Sequence, residues 1–140
     1  MRKTKLRTEQ EFDFDLWGII SNAKGYRLAW EINQVFGINL QKASDIVIDF
    51  VNQKNLIIGN YKYEKGNSKL ILIRNKGLLN DSISSYIVPE LQKFYFLFWI
   101  KTYDAFDLDK LMSVLKSSSI IQYLIRIELE KLKSRENLLF

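Results

Sequence analysis

Two aspartates near the start of the chain are the first residues whose type and spacing suggest chemistry. In the stretch EFDFDL, Asp13 and Asp15 alternate with apolar residues, so on a strand both carboxylates point to one side, about 7 Å apart. Such a pair can bind a hard cation or perform acid-base chemistry. The simpler interpretation, which we favour, is that these acidic residues occupy the water-facing side of an amphipathic strand.

A glutamate that follows the only proline of the chain is the second candidate. Proline restricts its own φ and favours extended conformations in the residue before it, so Val88, Pro89 and Glu90 predict a corner that feeds a strand starting near Phe94. Glu90 would act either as a catalytic carboxylate or as an acceptor of backbone N–H bonds that fixes the corner. We favour the second role, in which Glu90 stabilises the corner.

An arginine and a tryptophan three residues apart form the third candidate. Arg27 and Trp30 lie on a predicted helix, where residues at this spacing share a surface and can clamp an anionic or planar ligand. The alternative, which we favour, is a surface stacking pair or a partly buried pair.

The composition argues against most catalytic designs. The sequence has no cysteine and no histidine, which removes thiolate nucleophiles, disulfides, the usual zinc sites and the commonest general base near neutral pH. No P-loop, GxGxxG, GxSxG or HExxH pattern occurs. We therefore predict no enzyme activity, no cofactor and no bound metal.

The positive charge is concentrated at the N-terminus. The net charge is +5, and the segment MRKTKLR carries four basic residues and no acid, which leaves 17 basic and 16 acidic side chains elsewhere. We predict that residues 1–8 form a frayed basic terminus on a nearly neutral body. Acidic residues, not an apolar stretch, follow this terminus, and the longest apolar run is FYFLFWI. We expect a cytoplasmic protein with no membrane partner.

The hydrophobic pattern predicts one α+β domain over residues 1–140. Strands are predicted at 11–16, 45–51, 55–64, 68–74, 94–101 and 120–129, with helices at 23–36 and 107–116. Asn22 and Asp107 are the predicted N-caps, Gly37 is a predicted left-handed C-cap, and Gly18 marks a bulge or a close approach. The resulting order β-α-β-β-β-β-α-β favours a mainly antiparallel sheet of about six strands with two helices on one face.

Four stretches in this order resemble the IPExxxVDY family of small bacterial proteins: DFDFDLWGI, YRLAWEIN, VPELQKFYF and KLKSRENLLF. The likeness spans roughly residues 12 to 140. Val88, Pro89 and Glu90 match the first half of the namesake motif, whereas Phe94, Tyr95 and Phe96 stand where the motif has valine, aspartate and tyrosine. The family carries no established activity, so the resemblance implies a single domain and no mechanism.

The last predictions concern apolar surfaces. The strand at 94–101 is apolar on both sides, and the two helices can cover only one, so we expect Tyr95, Leu97 and Trp99 to form an interface with a second copy or another protein. The C-terminal LLF should pack on the body. The sequence thus favours a noncatalytic, self-associating interaction or binding module, with an RNA- or DNA-binding accessory protein as the less favoured alternative.

Overall fold

The computed structural model describes residues 12–49, 55–78, 85–102 and 106–140. The predicted basic terminus, 1–8, lies outside the described residues. The described strands and α-helices are, in chain order, β1 Asp15–Ser21, α1 Gly25–Phe36, β2 Gln41–Lys42, β3 Ile46–Ile48, β4 Leu56–Ile58, β5 Asn60–Lys65, β6 Ser68–Arg74, β7 Phe96–Lys101, α2 Leu108–Lys116 and β8 Ile121–Arg126. Six of these strands form one antiparallel sheet in the order β2-β5-β6-β7-β1-β8, and β3 and β4 form a separate hairpin.

The two α-helices cover one face of the sheet, as the sequence predicts. The apolar stripe of each helix is buried in one cluster together with alternate residues of the central strands. Gly37, with φ of 66°, ends α1 in the left-handed conformation, and the Asp107 side chain accepts a bond from the Lys110 amide at the start of α2. The predicted caps at Gly37 and Asp107 are confirmed. The fold is therefore α+β with a main antiparallel sheet.

The opposite face of the sheet is covered by the chain itself. The β3–β4 hairpin, the segment around Pro89 and the C-terminal residues pack there, in a second cluster that includes Leu97, Trp99 and Leu138. Leu97 and Trp99 are fully buried, and Tyr95 is exposed but lies outside β7. The predicted interface of Tyr95, Leu97 and Trp99 is therefore wrong. A short hairpin and irregular segments of the same chain supply the cover that the sequence predicts from a partner.

The C-terminal tail is ordered and packed, which confirms the prediction for LLF. Leu138 is fully buried, and its carbonyl accepts a hydrogen bond of 2.8 Å from the indole N–H of Trp99. The Phe140 ring packs edge-on against the Trp99 ring with centroids 5.7 Å apart. The tail thus satisfies the one polar atom of a buried tryptophan.

The first strand and the first helix start later than predicted. β1 begins at Asp15, and α1 begins at Gly25 with Lys24 at the N-cap position, not Asn22. The Asn22 amide instead donates to the Gln122 side chain, and Ser21 Oγ accepts from the Ala23 amide. Long-range contacts in the turn therefore move the helix start by two residues.

Two of the predicted strands are irregular in the structure. The predicted strand 55–64 divides at Gly59, because β4 pairs with β3 and β5 pairs with β2 and β6. In β8 the register shifts opposite Ser21, so Ile121 lies on the helix side whereas Tyr123 and Ile125 are exposed. The bulge is there and not at Gly18, whose missing side chain gives room to the Phe94 ring.

Three other boundaries also differ from the prediction. β3 is only Ile46–Ile48, and the predicted end of this strand beyond Asp49 lies outside the described residues. β7 begins at Phe96, since Phe94 turns toward the second cluster. Neither of the described α-helices has both the length and the apolar character needed to cross a membrane.

Candidate functional site

A cleft of about 730 Å³ opens at one end of the main sheet. Four strands of the antiparallel sheet have an end there, since β1 and β6 finish and β5 and β7 start. The turn from β1 into α1 forms a further wall, and β2 closes the side. The antiparallel topology therefore brings together residues that are far apart along the chain.

Four cationic side chains line this cleft: Lys24, Lys42, Arg74 and Lys76. None of the described residues that line it is acidic. Asp45 lies just outside, with its carboxylate 3.3 Å from Lys42 Nζ, so it offsets one of the four charges. The cleft is thus a local excess of positive charge on a body whose overall charge is close to neutral.

Backbone bonds fix where these cations lie. Arg74 ends β6, and its amide donates to the Gly59 carbonyl at 3.0 Å, which ties it to the start of β5. Lys76 forms an isolated bridge with Tyr86. Lys42 pairs with Tyr61 across β2 and β5, and its ammonium lies 5.9 Å from the centroid of the Tyr61 ring. The cations therefore project from an ordered sheet end.

The N-terminus of α1 contributes to the same wall. Lys24 and Gly25 line the cleft, no side chain caps the helix, and its first turn holds no acidic residue. The first N–H groups of a helix lack intrahelical acceptors and carry partial positive charge. A Cβ atom at position 25 would lie 3.1 Å from the Tyr61 ring. Glycine at this position therefore allows the helix start to pack close to the sheet.

Aromatic and aliphatic side chains complete the lining. Leu72, Leu78, Tyr61, Tyr95 and Phe96 supply the apolar surface. Tyr95 is 57% exposed, and its carbonyl accepts from the Asn75 amide at 2.9 Å, which holds its backbone beside the end of β6. The cleft thus combines cations with aromatic rings, a pairing suited to ligands that carry both an anion and a planar group.

The two candidate carboxylates, Asp13 and Asp15, lie away from the cleft. Asp13 is exposed and lies before β1, whereas Asp15 begins β1 and is paired with Arg126 of β8. Within the described residues, no group of three or more potential ligands such as aspartate and glutamate could hold a metal ion. The structure therefore gives Asp15 an ion pair and brings neither aspartate to the cleft.

Glu90 fixes the corner, as the favoured interpretation predicts. Its carboxylate accepts bonds from the Ser134 amide at 2.9 Å and from the Ser134 hydroxyl at 2.6 Å. Burial raises the pKa of Glu90, but the bonds from Ser134, together with weaker backbone bonds, outweigh it and lower this pKa below its ordinary value of 4.5. Glu90 thus joins the proline corner to the segment that leads into the tail.

A buried asparagine holds the other side of the corner. Asn75 is fully buried, and its side-chain oxygen accepts from the Val88 amide at 3.0 Å. Its amide nitrogen lies within 3.4 Å of the carbonyls of Val88, Leu91 and Phe94. Pro89 itself starts a short 3-10 helix, Pro89–Leu91. Sequence reasoning missed Asn75, because nothing in a loop sequence marks one asparagine as buried.

Arg27 and Trp30 do share a surface, on the outer side of α1. The Arg27 guanidinium lies 5.9 Å from the centroid of the Trp30 ring, and the ring is 53% exposed. The favoured interpretation as a surface stacking pair is confirmed. Neither residue lines the cleft, although Gly25, at the start of the same helix, does.

The cationic residues of the cleft were not predicted from the sequence. They come from the start of α1, the end of β2 and the end of β6, so no short motif contains more than two of them. The one available signal is their position at the ends of predicted elements, as in RNK at residues 74–76. Without the strand order, that signal does not show which element ends meet.

The comparisons with known proteins identify no relative. No family model matches the chain, and neither a curated protein nor a solved structure matches it. The resemblance to the IPExxxVDY family stays a prediction, and the function must be argued from the cleft.

Proposed function

We propose that this chain is a noncatalytic binding module that holds a phosphate-bearing ligand in the cleft at the sheet end. The observation that carries the proposal is the lining of that cleft: four cationic side chains and no acidic one among its described residues. Outside its basic terminus, the chain carries 17 basic and 16 acidic side chains. A surface without a binding role would be expected to mix the two signs and not to gather only basic residues in one cleft.

Phosphate fits the donors that are present. Arginine presents a fork of N–H groups that matches phosphate oxygens, lysine supplies a mobile point charge, and an uncapped helix N-terminus favours an anion. Lys42 Nζ lies 3.3 Å from the Asp45 carboxylate and 5.9 Å from the centroid of the Tyr61 ring, and both contacts favour a position of this ammonium at the side of the cleft. A partly enclosed site also screens charge less than open water does, which strengthens each contact.

Binding without catalysis follows from the same lining. The described residues there include no carboxylate, and the sequence contains no histidine or cysteine, so a general base near neutral pH has no candidate among them. Lysine and arginine can neutralise a phosphate, but they do not activate water to attack it at neutral pH. We therefore expect the ligand to leave unchanged.

Titration calorimetry with inorganic pyrophosphate at low ionic strength tests the proposal. Arg74→Ala and Lys24→Ala should each weaken binding by roughly 10- to 100-fold, since a hydrogen bond to a charged group is worth roughly 1.5 to 3 kcal/mol. Lys116→Ala, which removes an exposed lysine from the last turn of α2, is the matched control and should bind normally. No binding by the unaltered chain, or equal loss in all three variants, would reject the cleft as the site.

A cytoplasmic location stays a prediction, whereas self-association loses the surface on which it was predicted. The sheet face on which a dimer interface was predicted is covered by the tail and the corner, so this face is not available to a second copy. Light scattering at micromolar concentration should therefore give the mass of one chain. Twice that mass would return self-association to the proposal, at a surface other than Leu97 and Trp99.

A further inference from the structure

Two large aromatic side chains on the outer side of α1 are exposed to solvent. Tyr26 is 66% exposed and Trp30 53% exposed, and their spacing of four residues places them on one side of the helix. The buried stripe of α1 consists of other residues, so neither ring is needed to attach the helix to the sheet. Arg27 lies between them in sequence and approaches the Trp30 ring.

This aromatic surface starts at the residue that follows the cleft lining. Gly25 lines the cleft, Tyr26 follows it directly, and Trp30 lies about one helical turn beyond Tyr26. Tyr95, a third exposed ring, stands at the cleft itself. Exposed rings therefore lie beside the cleft and within the first two turns of α1.

Resting on the proposed function, we infer that the phosphate-bearing ligand is a single-stranded nucleic acid, which enters the cleft by its backbone and stacks bases on Tyr26 and Trp30. Proteins that bind single strands combine a positive groove that tracks phosphates with aromatic rings on which bases stack. Cations in the cleft supply the first part, and the outer side of α1 supplies the second.

Alternative ligands fit this combined surface less well. A mononucleotide would fill the cleft but leave the rings of α1 without a partner. A duplex keeps its bases stacked inside, so exposed rings have nothing to contact without base flipping. An apolar protein surface would match Tyr26 and Trp30 but would place no anion against Lys24, Arg74 and Lys76.

Fluorescence anisotropy with labelled polyuridine and polythymidine of about 12 nucleotides tests the inference, because single-strand sites span roughly 4 to 16 nucleotides. Three to four phosphate contacts predict that the logarithm of affinity falls with the logarithm of salt concentration at a slope of about −2 to −3. Arg74→Ala should make that slope shallower by about 0.7. Trp30→Ala should weaken binding at least about fivefold and leave the slope unchanged, since stacking carries no counterion release.

Tyr123→Ala is the matched control, because Tyr123 is an exposed aromatic residue on β8 and is not part of the cleft lining. It should bind both strands as the unaltered chain does. Equal loss in Trp30→Ala and Tyr123→Ala, with both variants folded by circular dichroism, would overturn the assignment to α1.

The outcomes also separate this inference from the proposed function. If pyrophosphate binds and loses affinity in Arg74→Ala, but neither oligonucleotide binds, the cleft holds small phosphates only and the extension over α1 is wrong. If oligonucleotides bind with an Arg74-dependent slope but Trp30→Ala and Tyr26→Ala have no effect, the strand does not cross α1. If neither probe binds, both proposals are rejected.

Discussion

Leu138→Ala should destabilise the fold strongly, whereas the same change at the next residue should not. Leu138 is 0% exposed and its carbonyl accepts the Trp99 indole N–H, while Leu139 is 37% exposed. The two leucines thus share a sequence context and differ in burial. They form a matched pair for testing whether the tail closes the second face of the sheet.

The expected magnitude follows from the loss of buried volume. Truncating a fully buried leucine to alanine costs about 2 to 5 kcal/mol, which combines the lost burial with the cavity left behind. Because the backbone carbonyl remains in the variant, the bond to Trp99 is retained if the tail stays in place. If the tail detaches, the Trp99 N–H loses its acceptor, which adds roughly 1 to 3 kcal/mol. Leu139→Ala should cost about 0.5 kcal/mol or less.

Urea denaturation followed by tryptophan fluorescence measures both effects. With a slope of about 2 kcal/mol per molar urea, the expected loss for Leu138→Ala lowers the midpoint by roughly 1 to 2.5 M. Leu139→Ala should shift it by about 0.3 M at most. Deleting residues 138–140 should lower the midpoint at least as far as Leu138→Ala. Equal midpoints for the two alanine variants would refute the argument that the tail completes the core.

Two further predictions concern the corner. Because bonds from Ser134 lower the pKa of Glu90 below its unfolded value, its carboxylate stabilises the fold above about pH 5, and this contribution is lost as the pH falls through the folded pKa. Glu90→Gln should remove that pH dependence of urea unfolding at a cost of about 1 kcal/mol or less, given its exposure, and an unchanged pH profile would contradict the assigned bonds. Asn75→Asp keeps the shape of the side chain but turns a carboxylate toward backbone carbonyls, so it should cost about 3 kcal/mol or more by the same assay. A cost below 1 kcal/mol would show that the amide does not hold the corner.

Periodic elements were predictable from the sequence because their patterns are local. The strand at 68–74 and the helix at 107–116 are found almost as predicted, since alternating and helical stripes of apolar residues specify both their type and their buried side. Gly37 and Asp107 were identifiable for the same reason, because caps act within one turn. The number of sheet strands also followed, although the short β2 replaced one of those expected.

The cover of the second face was not predictable in this way. It is built from a three-residue corner helix, a short hairpin and a tail, and such segments have no period from which burial can be read. The sequence showed correctly that the strand with Leu97 and Trp99 needs apolar cover on both sides. The wrong step was to expect a partner for this cover, when short segments of the chain itself, such as those that hold Val88 and Leu138, provide it.

The difference between local patterns and long-range contacts also explains why the overall charge did not reveal the cleft. A body with 17 basic and 16 acidic side chains indicates weak attraction to nucleic acid only if the two signs are mixed on its surface. At physiological salt the field of an exposed charge decays over about 8 Å, so a ligand responds to the charges around its own site and hardly to the total. Antiparallel pairing brings Lys24, Lys42, Arg74 and Lys76 to one sheet end without an acidic neighbour among the described lining residues. Strand order, which the sequence alone did not reveal, therefore determines whether a nearly neutral chain gathers its cations at one end of the sheet.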